Sequence, residues 1–149
     1  MKGNEIMAIR SLIAIQHADK TVESIYCHWG GEPKNNGRCL FEHYSDRDKI
    51  EYLISFGSLA RLESRIDPVA EHSWESPESG TCVFYHRDRN DPFDDGVKSR
   101  THDDITALLD GNLFWIEYIY IFTAENIWTM YVRKHGEVQK RQILQDVLD

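Results

Sequence analysis

Near its start and again near its end, the chain alternates apolar and polar residues. Between these blocks the apolar spacing shifts to that of helices. In "IRSLIAIQ", Ile9, Ile13 and Ile15 share a face with Ser11 between them, the period of two of a half-buried strand. "HADK" turns the chain and "TVESIYCHW" continues it in β-branched and aromatic residues, so residues 7 to 29 predict an antiparallel hairpin. After the loop "GGEPKNNG", "RCLFEHY" has the composition of a short helix. "SDRDKIEYLISFG" has a capping serine or aspartate, an apolar stripe of Ile50, Leu53 and Ile54, and a stop at Gly57. Leu59, Leu62 and Ile66 follow at helical or turn spacing, and "DPVAEHSWESPESG" is loop.

"TCVFYH" reads as a third strand and "RDRNDPFDDGVKSR" as an exposed charged loop. "THDDITALLDG" predicts a helix capped by Thr101, with Asp104 in the reciprocal capping position, Ile105, Leu108 and Leu109 as its stripe, and Gly111 as its stop. "NLFWIEYIYIF" and "IWTMYV", joined by "TAEN", form a second hairpin. "VQKRQILQDVL" is a closing amphipathic helix. The order ββ, αα, β, α, ββ, α predicts an α+β fold: an antiparallel sheet of about five strands with helices packed mainly on one face. Residues 113 to 122 are apolar on both faces except at Glu117, which places this strand centrally and asks for a basic partner or a site at the acid.

With 149 residues, 41% of them hydrophobic, the chain predicts one domain over residues 1–149. The opening "MKGNEIMAIRS", with Met1 and Met7 both available as starts, has no leader pattern, and no run approaches the roughly 18 apolar residues of a membrane helix. Cys27, Cys39 and Cys82 form no CxxC pair, which fits a reducing, cytosolic setting. The formal charge of -8 discourages binding to nucleic-acid backbones. One stretch departs from it: "VRKHGEVQKRQ" sets Arg133, Lys134, Lys140 and Arg141 against Glu137 alone, enough to hold a phosphate or an acidic partner, although solvated strand and helix ends have this composition too.

"SLIAIQHADKTVESIYCHWGGEPKNNGRCLFEHY", with "YLISFGSLARL" and "FYHRDR", resembles a family of small, functionally uncharacterised bacteriophage and prophage proteins that share an IYCHWDGYP-like stretch followed by LxxHY. The likeness covers nearly the whole chain and is most specific in its first 60 residues. The chain departs from the pattern at Gly30, where aspartate is usual, and at Glu32, where an aromatic residue is usual. The resemblance implies a phage-encoded protein of the host cytoplasm, a setting in which small acidic proteins bind and disable host proteins such as defence components.

Several constellations bear on chemistry. Cys39 and His43 are four apart, one helical face, and Cys27 ends the preceding strand, so Cys27, Cys39 and His43 are a zinc candidate; three ligands do not close a structural site, and buried thiols explain the cysteines better. On that plainer reading His28 and His43 hydrogen-bond across hairpin and helix and hold the glycine-rich loop. A ligand pocket of His28, Trp29, His43 and Tyr44 is the alternative. In "YHRDRND", His86 and Asp88 would share a strand face as an acid–base pair, with Arg87 and Arg89 free on the other to grip an anion; surface ion pairs explain them as well. "DPFDDG" lacks the oxygens of a calcium loop at its third and twelfth positions, Phe93 and His102. No GxSxG, Walker, HExxH or GxGxxG motif is present, and no cofactor is expected.

Trp115, Tyr118, Trp128 and Tyr131 belong to an aromatic run that alternates across the second hairpin. Rings left uncovered there would form a surface for a host protein or a symmetric homodimer. Two functions follow as expectations. The first is a cytosolic, non-enzymatic binding protein that inhibits a host protein. The second is a small-ligand or nucleotide-signal binding protein, or hydrolase, with a pocket around His28, His43 and His86.

Overall fold

The computed structural model describes residues 8–149; the two candidate starts and the opening segment lie outside them. Two hairpins make the centre. Strands β1 (Arg10–Gln16) and β2 (Val22–Cys27) pair antiparallel, as do β6 (Ile116–Phe122) and β7 (Trp128–Lys134). The hairpins join through β1 and β6, which run parallel with Ile13 opposite Tyr120 and Ile15 opposite Phe122. This join suits β1, whose Ile13 and Ala14 point to opposite faces and are both fully buried.

Short strands extend the sheet: β3 (Leu59–Arg61) pairs parallel with the end of β2, β4 (Val83–Phe84) lies beside β3, and β5 (Arg100–His102) lies beside the start of β2. Strands β8 (Glu137–Val138) and β9 (Gln142–Ile143) flank β7. The sheet is therefore mixed and nine-stranded, in the order β4-β3-β2-β1-β6-β7-β8, with β5 and β9 as side branches, which corrects the expected five-stranded antiparallel sheet.

Helices also cover both faces. A π-helical turn (Pro33–Gly37), α1 (Arg38–His43), α2 (Arg47–Ser55) and α5 (Leu144–Leu148) accompany the face of Ile13, Ile25, Tyr120 and Phe122. On the opposite face Leu108 of α4 (Ile105–Leu109) packs with Ala14, Val22, Ile119 and Tyr131. Arg47 fastens α2 to the turns of both hairpins, donating to the Gln16 carbonyl at 3.0 Å and the Thr123 carbonyl at 2.7 Å.

Five local expectations change. "TCVFYH" remains extended for only two residues, and Tyr85–Arg89 forms helix α3, because the Asp88 carboxylate accepts the Phe84 backbone N–H at 2.8 Å and closes the first turn from inside. Thr101 lies in β5, and Asp104 is the N-cap of α4, accepting the Ala107 N–H at 2.8 Å. Leu59 begins a strand instead of a helical turn, and the closing helix is preceded by β8 and β9. Glu117 is exposed in β6, so it demands no partner.

Asn36 and Tyr120 hold the "GGEPKNNG" loop, in place of the histidines. The buried Asn36 amide N–H donors reach Ser11 Oγ (3.3 Å), Cys27 Sγ (3.4 Å) and the Trp29 carbonyl (3.2 Å), while the Tyr120 hydroxyl donates to the Gly31 carbonyl at 2.7 Å. Gly31 passes so close to β1 that a Cβ there would lie 2.6 Å from the Ile9 carbonyl oxygen. Gly30 has a φ of 70°, a region that aspartate tolerates better than most residues, so an aspartate fits this position for backbone reasons alone.

Candidate functional site: an aromatic cleft beside a basic cavity

Tyr26 and His28 are two residues apart at the end of β2 and so point the same way. The Tyr26 hydroxyl accepts from Arg10 Nε at 3.0 Å and stands 2.6 Å from His28 Nδ1. A phenol that accepts from arginine directs its own proton to the imidazole, so His28 Nδ1 accepts and Nε2 carries the ring proton. Burial, with the Arg10 charge adding to it, holds the His28 pKa below its ordinary value; burial raises that of Tyr26 against the pull of Arg10.

Around these groups opens a cleft of about 470 Å³. Trp29 stands edge-on to His28, with ring centroids 4.7 Å apart. Helix α3 brings Tyr85 and Arg89, four residues apart on one face, and the long loop after β3 brings Trp74. The Arg89 guanidinium lies 4.8 Å from the ring centroids of both Trp74 and Tyr85 and grips Asp91 through two hydrogen bonds of 2.9 and 2.7 Å. Burial pushes the Tyr85 phenol up to about 12, so it stays protonated.

Trp74 is positioned by a buried clasp. His72 Nδ1 accepts the Glu78 N–H at 3.0 Å, which leaves Nε2 to donate to Asp88, 3.3 Å away; the two side chains are 3% and 6% exposed. Burial pushes the Asp88 carboxyl up, but bonds from Arg87, the Phe84 N–H and His72, with the Arg87 charge, outweigh it and hold the group below the usual carboxylate range.

Tyr26, Ser58 and Gly96 form a wall shared with a second cavity, of about 310 Å³. Its walls combine apolar Leu12, Leu108 and Leu113 with Lys98, Arg100 and His102. Arg100 stands opposite Ser24 and His102 opposite Val22, so both point to the face that carries Tyr26. Phe114 and Trp115, 66% and 62% exposed, stand together here, Phe114 in the cavity wall. Trp115 adopts a φ of 71°, a costly conformation for a bulky residue, with Arg10 5.7 Å from its ring centroid.

The expected pocket is therefore only partly assembled. His28 and Trp29 line the cleft. His43 is on α1, half-exposed beside Glu42, and Tyr44 is fully buried, donating to the Glu63 carbonyl at 2.7 Å. His86 is exposed, its Nδ1 2.7 Å from the Asp91 carbonyl and its ring against Phe93; because residues 85–89 are helical, it shares no strand face with Asp88. Arg87 spends its donors on Asp88 and on the Ile66 and Cys82 carbonyls. Among the described residues no group of three or more His, Cys, Asp or Glu side chains can hold a metal ion, which sets aside Cys27, Cys39 and His43.

Of the four surface aromatics, Trp115 is exposed and Tyr118 is half-buried against the core. Trp128 and Tyr131 are buried, because helices cover both faces of the sheet. Tyr26 was detectable by spacing, two residues from His28; Arg89, read as an anion grip or a surface ion pair, is paired with Asp91. Trp74, in an irregular loop, carried no such signal. Comparison with family models, with curated proteins and with solved structures finds no match to this chain. No helix among the described residues is long and apolar enough to cross a membrane.

Proposed function

We propose that the chain is a small-molecule-binding protein whose ligand places a planar ring system in the cleft of His28, Trp29, Trp74 and Tyr85. The observation that carries this reading is the convergence of these rings from three separate segments around an arginine already neutralised by Asp91. Aromatic faces with polar groups set among them, Ser58, His28 and the Arg89–Asp91 pair, select a planar ligand and orient it. The Tyr26 and Tyr85 phenols are held protonated and His28 accepts from Tyr26, so on this reading the groups bind and orient. In the phage setting that the resemblance implies, the corresponding role is capture of a host metabolite.

The test is a nuclear magnetic resonance screen with a panel of planar aromatic metabolites. The expected result is a compound that shifts the Trp29 and Trp74 indole signals and the His28 ring signals together, and that loses affinity in Trp74→Ala. A panel that leaves all three unmoved, or moves only signals elsewhere, overturns the reading.

One observation favours a second reading, contact with a partner protein. Phe114 and Trp115 form an exposed aromatic pair held in a costly backbone conformation. Loss of a co-purifying partner on Phe114→Ala/Trp115→Ala, with the melting temperature kept, would support it; an unchanged set of partners would count against it.

A further inference from the structure

The two cavities differ in charge as sharply as they adjoin in space. The chain carries 25 acids against 17 lysines and arginines, yet the walls of the smaller cavity include Lys98, Arg100 and His102 and, among the described residues, no carboxylate. Lys98 and Arg100 are solvent-exposed, and neither takes part in a salt bridge among the described residues. The Arg100 guanidinium makes a single long contact of 3.4 Å, to the Asp95 carbonyl. Across the shared wall, Asp91, the acid of the aromatic cleft among the described residues, is matched by Arg89. An acidic protein has thus kept a local excess of positive charge beside a set of stacking rings.

Resting on the reading just given, we infer that the ligand is a nucleotide: its base stacks in the aromatic cleft, its sugar crosses the wall at Tyr26 and Ser58, and its phosphate lies against Lys98 and Arg100. Two adjoining wells separated by a wall fit a ligand whose ring and anion are joined by a spacer; a simple aryl acid carries its charge too close to the ring. Exposed cations without carboxylate partners keep their donors free for phosphate oxygens. His102, its pKa lowered by burial with the Arg100 charge adding to it, stands 3.4 Å from Ser24 Oγ and adds a polar group to the wall.

The experiment is calorimetric titration of the intact protein with AMP, GMP, CMP and UMP, with the four parent nucleosides, and with pyrophosphate alone. At least one monophosphate is expected to bind about tenfold or more tightly than its nucleoside. Added sodium chloride should erode that advantage, and Lys98→Ala/Arg100→Ala should abolish it while the nucleoside affinity stays. Lys98→Arg/Arg100→Lys should preserve it. Equal binding of nucleotide and nucleoside, an advantage that survives the double alanine variant, or pyrophosphate binding as tightly as any nucleotide would each overturn the inference. So would a panel in which no nucleotide binds. The aromatic reading survives all four outcomes if another planar compound moves the Trp74 and His28 signals, so the two failures are distinguishable. Both positions are exposed, and unchanged melting temperatures verify that the variants fold.

Discussion

The Trp128 indole N–H donates to the Tyr44 carbonyl at 2.8 Å, tying the first residue of β7 to the end of α1 inside the core. Trp128→Phe keeps most of the ring but leaves that buried carbonyl without its donor, a loss of about 1–3 kcal/mol in chemical denaturation. Trp115→Gly, by contrast, relieves a backbone that glycine adopts freely and is expected to cost nothing or to gain up to about 1 kcal/mol. The pair of measurements separates the core indole from the surface one.

Asn36 is the hub of the glycine-rich loop, and Asn36→Ala removes a donor from the Ser11 hydroxyl and leaves the Trp29 carbonyl with the weak Cys27 thiol alone. The expected cost is about 2 kcal/mol, read from the denaturation midpoint. Gly31→Ala should cost at least ~1 kcal/mol by pushing the loop off the Ile9 carbonyl.

Acid should destabilise the fold through His28 and His102 before most carboxylates titrate. Burial is the larger cause at both imidazoles, with Arg10 and Arg100 adding to it, and both fold with pKa values below the ordinary 6.5. Below that value the unfolded chain binds more protons than the folded one. Stability from this source is therefore complete above about pH 6.5 and is lost as the pH falls through the folded values. Ring-proton titration by magnetic resonance should show both residues low, and Arg10→Ala should raise His28 alone.

Burial pushes the Cys27 and Cys39 thiols up to about 12 and raises Cys82. In the native protein at neutral pH all three should resist Ellman's reagent, react fully after denaturation, and leave the melting temperature unchanged when zinc is added.

The loop that carries Trp74 depends on the His72–Asp88 clasp. His72→Ala is expected to open residues 67–80 to limited proteolysis while the hairpins stay protected, and to weaken ligand binding as Trp74→Ala does.

The alternation of Ile13 and Ile15, the stripe of Ile50, Leu53 and Ile54, and the "TAEN" turn located both hairpins and α2 in the sequence, because period and punctuation are local signals. The parallel contact of β1 with β6 was not legible: residues 10–16 carry no mark of which strand lies beside them. Helix α3 was hidden because Val83, Phe84 and Tyr85 favour strands, and the Asp88 side chain that turns the chain lies downstream of them. At the site, His28 and Trp29 stood out by type. Lys98 and Arg100 fell in the stretch read as an exposed charged loop and His102 in the segment read as a helix; the pairing of β5 with β2 aims Arg100 and His102 at one cavity, whose wall Lys98 joins from the preceding turn.

The outermost strands, β4 and β8, are two residues long, and β9 beside β7 is equally brief. A further copy of the chain docking by backbone hydrogen bonds would meet almost no ladder to extend, so resistance to fibrillar assembly is built into the margins of a molecule whose centre is rich in β-branched and aromatic sequence.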